Sequence, residues 1–183
     1  VGLIEASDFA SGTSSRSSKL VHGGIRYLEN MEFKLVFEAL SERHKLFQIA
    51  PHLVHPLRFM IPLYKKGRVG MLKMGLGMWL YDALSLFRAP QLHERLSAKS
   101  SLARMPALQG NELLGSYVYS DAYMDDDRLV HETLRSANAF GAKCANYVKA
   151  IGAEFDANQK IKSVLCEDQV SKKKFSVRAK HFV

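Results

Sequence analysis

Hydrophobic positions along this chain change rhythm several times, and each change marks an expected element. Residues 1–6, VGLIEA, form a short apolar run ending in an acid, which predicts a buried parallel strand. A polar stretch follows. Across residues 30–50, apolar side chains recur at Phe33, Val36, Phe37, Leu40, Leu46, Phe47 and Ile49. That spacing predicts an amphipathic helix with Glu38, Glu42, Arg43 and Lys45 on its polar face. Pro51 ends it, since proline cannot continue a helix and disfavours helix just before it.

Residues 57–64 read as a strand, KKGRVG as a turn, and residues 69–87 as an apolar, Met- and Gly-rich helix. Serines in SAKSSLARM suit the caps of short helices. Residues 113–125 read as a strand with aromatic alternation. Residues 126–144 read as a helix, with Asp125 or Asp126 as N-cap and Gly141 as stop. From residue 146 onward the pattern predicts three strands, with turns at DANQK and QVSKKK. The expected class is mixed α/β.

Apolar residues make up 47% of the 183, an ordinary globular composition. No apolar run reaches the roughly 18 residues that span a bilayer, and the N-terminus lacks a secretory signal pattern. Cys144 and Cys166 lack metal-type spacing and read as reduced, structural thiols. The net charge of +8 is compatible with nucleic acid, an anionic membrane or an anionic small ligand. Its basic residues are spread along the chain rather than clustered with aromatics, which argues against nucleic acid. Met71, Met74 and Met78, with Leu72, Leu76 and Trp79, are expected in the core. A helix facing membrane or quinone, flanked by Lys65, Lys66, Arg68 and Lys73, is the alternative. Asp125, Asp126 and Asp127 read as a helix N-terminus rather than a metal site. His52 and His55 read as packing or surface residues.

The chemistry concentrates in residues 7–29, SDFASGTSSRSSKLVHGGIRYLE. Between Ser11 and Lys19 stand six hydroxyls, at Ser11, Thr13, Ser14, Ser15, Ser17 and Ser18. Hydroxyls both donate and accept, so such a loop suits an anion, with Arg16 and Lys19 adding positive charge. Gly23 and Gly24 permit unusual backbone angles and leave room for a flat ring. Arg26 offers a planar fork for carboxylate or phosphate, and Tyr27 a hydroxyl on an aromatic body. Glu5, at the end of the first strand, stands where a dinucleotide-binding βαβ unit places its ribose-binding acid. The glycine-rich turn of such a unit would lie roughly 20 residues before that acid. The run from residue 174 to 183 also reads as a strand entering a core. The chain therefore reads as an internal piece of a larger protein. A plain reading of the same segment is a serine-rich loop capping a helix, then a tight turn.

DFASGTSSRSSKLVHGGIRYLE resembles the FAD-binding stretch of the FAD-dependent glycerol-3-phosphate dehydrogenases and their oxidase relatives. The resemblance continues through FKLVFEALSER, APHLVHPLRFMIP, GLGMWLYDAL and YSDAYMDDDRLV. It implies part of a Rossmann-like FAD-binding domain with part of a substrate or cap domain. Residues 1–50 would belong to the FAD-binding domain, 51–125 to the cap, and 126–183 would return to the FAD-binding domain. It implies that Glu5, Thr13, Ser14, Ser18, Lys19, His22, Gly23 and Gly24 bind FAD. Arg26 and Tyr27 would reach the substrate, with His22 a candidate base.

The implied reaction oxidises sn-glycerol 3-phosphate to dihydroxyacetone phosphate, with hydride passing to FAD and electrons to quinone or oxygen. The intact enzyme would be cytoplasmic, peripheral at the inner face of the membrane. Two alternatives stay open: a non-catalytic α/β module binding another phosphate or nucleotide, and an FAD oxidase of the same fold acting on glycerol 3-phosphate or another substrate.

Overall fold

The computed structural model describes residues 1–183, which fall into two compact units: Val1–Ser17 with Asp126–Val183, and Ser18–Asp125. The chain is thus cut at 17/18 and 125/126, whereas the expected segments meet at 50/51 and 125/126.

The unit Ser18–Asp125 is built on strand β5 (Leu113–Met124). One edge of β5 pairs antiparallel with β3 (Val54–Tyr64) along its length. The other edge is shared by two short strands, β2 (Leu20–Val21) opposite Tyr123 and Ala122, and β4 (Glu94–Ser97) opposite residues 115–118. Neither short strand was expected from the sequence. With two to four residues each, they are too brief to show a period. As an edge strand, β3 tolerates Pro56 and Pro62, which cannot donate to a ladder.

Three helices belong to this unit: α1 (Phe33–Ile49), α2 (Met71–Leu84) and α3 (Ala98–Arg104). Ser97 caps α3 through its side-chain oxygen, which accepts the Ser100 N–H at 3.1 Å. The core joins Val36 and Leu40 of α1, Met78 and Tyr81 of α2, Leu63 of β3, and Tyr117 and Tyr119 of β5. Fully burying an aliphatic side chain such as Leu40 contributes about 1.5–3 kcal/mol.

Two expectations are corrected here. On α1 the buried stripe is Val36, Leu40 and Arg43, while Phe33, Phe37 and Ile49 are exposed. Arg43, placed on the polar face by its charge, lies on the buried one. Its spacing of three and seven residues from Leu40 and Val36 puts it in line with them. On α2 the methionine side is core, with Met78 fully buried, but Leu72, Leu76 and Trp79 are exposed.

In the other unit, β1 (Gly2–Ile4) runs parallel to β6 (Lys143–Ala145). It is parallel as expected but not buried, because its single neighbouring strand leaves all three residues exposed. Helix α4 (Asp126–Ala139) starts at the aspartates, as their dipole preference predicts. It stops before Gly141, whose φ is +86°. Lys143 and Cys144, expected to be helical, belong to β6 instead. An antiparallel meander follows, with β7 (Val148–Phe155), β8 (Ile161–Asp168) and β9 (Lys174–Val177). Both cysteines are free thiols.

Candidate flavin-binding segment and substrate cavity

The segment after β1 is stitched to residues 145–148. Glu5 N–H donates to Ala145 O at 3.0 Å, Val148 N–H to Glu5 O at 2.9 Å, and Tyr147 N–H to Ser7 O at 3.0 Å. Asn146 Nδ2 donates to Asp8 Oδ1 at 2.8 Å. These bonds hold a loop that has little apolar surface of its own. The Glu5 carboxylate accepts the Ser7 N–H through Oε1 at 2.8 Å, which leaves further lone pairs for a hydroxyl.

Thr13 and Ser14 lie in a short 3₁₀ turn, Thr13–Ser15, packed beside α4. Ser17 donates its hydroxyl to Asp126 at the start of α4, which ties the end of the loop down. Backbone beside this turn is open: a Cβ at Gly12 would meet nothing within 4 Å. Thr13 is exposed and no side chain caps the turn. An exposed, uncapped, hydroxyl-bearing loop fits a phosphorylated group, and so fits FAD.

In the unit Ser18–Asp125, Lys19 has a left-handed backbone, φ +57°, and its Nζ pairs with Asp125 Oδ1 at 3.2 Å. Ser18 and His22 are exposed, and the next two residues are buried. Gly24 is left-handed, φ +67° and ψ +60°, and caps the 3₁₀ turn Ile25–Leu28. Tyr27 N–H donates back to Gly24 O at 2.8 Å, which folds the Tyr27 ring over the glycine. A Cβ at Gly24 would strike that ring, and a Cβ at Gly23 would strike Leu40 and the Tyr81 hydroxyl. Glycine is required at both positions, one for its backbone angle and one for close approach.

Arg26 emerges from this turn into a cavity of about 630 Å³. Apolar side chains line most of it, including Ile25, Leu28, Phe33, Ile61 and Leu80. Arg26, Arg68 and Lys73 supply positive charge, and Arg68 Nη2 is paired with Glu29 at 2.7 Å. An apolar cavity of this size with a few charged groups suits a small anionic ligand. Tyr119 also lines it, its hydroxyl pushed up to about pKa 12 by burial and by the nearby Asp121 charge.

The structure therefore brings Ser18, Lys19, His22, Gly23, Gly24, Arg26 and Tyr27 into one unit, and Glu5, Thr13 and Ser14 into the other. Sequence reasoning missed Tyr81 and Asp121, which meet at the Gly23 amide, and Arg43, which is bonded to Asp121 behind it. Only the α1 spacing of Arg43 could have pointed to them.

The aerobic glycerol-3-phosphate dehydrogenase of Staphylococcus saprophyticus is 36% identical over 183 residues, all of this chain and 33% of that protein. The alpha-glycerophosphate oxidase of Streptococcus pneumoniae is 40% identical over 182 residues, 98% of this chain and 30% of that one. The chain thus spans about a third of the length of the curated relatives it matches. Among solved structures, the Bacillus halodurans glycerol-3-phosphate dehydrogenase complexed with FAD is similar at a TM-score of 0.69 and 29% identity. That match covers 97% of this chain and 27% of the other. An L-proline dehydrogenase from P. horikoshii shares the fold at a TM-score of 0.65 and 15% identity. The expected class, mixed α/β with a Rossmann-like FAD-binding fold, is borne out. The family described as FAD dependent oxidoreductase is matched from residue 1 to residue 183, and the chain belongs to it.

Proposed function

We propose that the full-length protein oxidises sn-glycerol 3-phosphate to dihydroxyacetone phosphate, and that this chain supplies part of its FAD and substrate sites. The observation that carries the reading is Arg26. It leaves a glycine-shaped turn and enters an apolar cavity with positive charge, in a chain 36–40% identical to glycerol-3-phosphate-oxidising relatives. FAD, when bound, accepts hydride from the substrate and passes electrons on.

The chain's own residues bind and orient. Glu5 accepts a ribose hydroxyl through lone pairs that Ser7 leaves over. Thr13, Ser14, Ser18 and Lys19 meet phosphate oxygens with hydroxyls and charge. His22, Gly23 and Gly24 form a rigid turn beside the flavin ring. Arg26 clamps an anionic oxygen of the substrate, with Tyr27 packed against the turn that aims it. His22 is exposed and of the right type to take the C2 hydroxyl proton.

Oxygen as acceptor is supported by the oxidase relative at 40% identity. Quinone, with the protein peripheral at the cytoplasmic face of a membrane, is supported by exposed Leu72 and Trp79 on α2, which follows Lys65 and Lys66 in the chain. No helix is long and apolar enough to cross a membrane.

The test uses the full-length protein under anaerobic conditions. Its flavin absorbance should bleach on addition of sn-glycerol 3-phosphate, and then recover with oxygen or with a soluble quinone, whichever is the acceptor. Arg26→Ala should lower kcat/KM by about 10- to 100-fold, the size of one lost charge-assisted hydrogen bond, with FAD retained. Flavin that stays oxidised with this substrate removes the assignment.

A further inference from the structure

Behind the double-glycine turn lies an ion pair shut off from water. Arg43 and Asp121 are each 1% exposed and directly bonded through Arg43 Nη1. The same nitrogen donates to Ser120 O at 2.8 Å. Tyr81, 2% exposed, donates its hydroxyl proton to Asp121, 2.8 Å from Oδ1 and 3.0 Å from Oδ2. Its oxygen in turn accepts the Gly23 N–H at 3.0 Å, and Asp121 Oδ1 lies 3.3 Å from that nitrogen. Side chains from α2 and β5 thus converge on one backbone amide, with Arg43 of α1 held behind them on Asp121.

Stability alone gives a poor account of this group. Apolar residues of the same volume commonly replace a buried ion pair without loss. Arg43 Nε is left with no partner, so the network does not even satisfy its own arginine. Proton placement in the network, however, is firm. Burial, and then the Asp121 charge, hold the Tyr81 hydroxyl far above the ordinary tyrosine range. Its proton therefore stays on the Asp121 side, and a lone pair stays available to Gly23.

Anchoring that N–H has a geometric consequence. The peptide linking His22 to Gly23 is trans and planar, as no cis bond occurs in the chain. Its carbonyl therefore points opposite to its N–H. With the N–H drawn into the network, the His22 carbonyl oxygen is directed away from Tyr81 and Asp121.

We propose that Arg43, Asp121 and Tyr81 are positioning residues that lock the His22–Gly23 peptide, presenting the His22 carbonyl as a fixed hydrogen-bond acceptor to the flavin. This rests on the flavin reading of residues 13–27. Gly23 itself cannot carry a side chain without displacing the Tyr81 hydroxyl, which keeps the lock and the glycine mutually dependent.

The experiment uses full-length protein and the volume-conserving variant Tyr81→Phe. Tyr117→Phe is the control, since it deletes a hydroxyl in the same core that bonds Met71 O at 3.3 Å and not Gly23. FAD affinity is titrated on the apoprotein, and the visible spectrum and midpoint potential are recorded on the holoprotein. Tyr81→Phe should weaken FAD binding about tenfold, the scale of one hydrogen bond, and should shift both the flavin bands and the potential. Tyr117→Phe should move none of the three.

A Tyr81→Phe protein of lower melting temperature, but with affinity, spectrum and potential equal to wild type, overturns the positioning role and leaves the flavin reading intact. Wild-type protein that takes up no FAD overturns both. If Tyr81→Phe does not fold, difluorotyrosine at position 81 keeps shape and hydroxyl but makes the oxygen a poorer acceptor. An unchanged flavin spectrum and potential then sinks the proposal, and a shift in either supports it.

Discussion

Gly12 and Gly24 show how differently two glycines of one segment are constrained. Gly24 has φ +67° and faces the Tyr27 ring, while Gly12 has φ −88° and open space where a Cβ would stand. A left-handed backbone costs a residue with a side chain roughly 1–2 kcal/mol, before any clash. Gly24→Ala should therefore lower stability by about 2 kcal/mol, in line with that strain plus displacement of the ring. Gly12→Ala should stay within about 0.5 kcal/mol of wild type, as surface substitutions do. Urea melts of the full-length variants measure both. Equal losses at the two positions would contradict the turn geometry described here.

Helices and hairpins were legible wherever one period ran long enough. Helices α1, α2 and α4, long strands β3 and β5, and the meander all follow the chain's apolar rhythm. Individual burial on α1 was not legible, because a helix records which residues share a face, and charge alone misassigned Arg43. In the meander, the turn after β8 is held by Asp168, whose Oδ1 accepts the Val170 N–H at 2.8 Å and the Ser171 N–H at 3.1 Å. These backbone donors, Ser171 first, hold the Asp168 carboxyl below the ordinary carboxylate range. The folded turn favours the ionised form, so its stabilisation is complete above about pH 4 and fades as pH falls further. Asp168→Asn should be less stable than wild type at pH 7, with a smaller gap in acid below the ordinary carboxylate range, as carboxylate protonation dictates. Urea midpoints at the two pH values decide this, and a gap of constant size would refute it.

At the scale of the whole molecule, the division into two units predicts how damage spreads. Leu40, 1% exposed, sits in the core of the unit Ser18–Asp125. Leu40→Ala should cost about 2–5 kcal/mol, through lost transfer energy and a residual cavity. Amide hydrogen exchange should quicken in residues 33–49 and 113–124 by more than in the β7–β8–β9 meander, as expected where cooperative units follow local packing. Uniform loss of protection across residues 1–183 would show a single cooperative unit instead.

The sequence by itself determined the order of the longer helices and strands, the mixed class, and the concentration of hydroxyl, glycine and basic residues between positions 11 and 26. Each of these is a local property, encoded in spacing or in what a residue's backbone and side chain permit. Tertiary structure alone decided that β2 and β4 share one edge of β5, that Arg43 turns inward onto Asp121, and that Tyr81 and Asp121 meet at the Gly23 amide. The Gly23 contacts alone bring Tyr81 and Asp121, 58 and 98 positions further along the chain, within hydrogen-bond reach, and no local period carries that information.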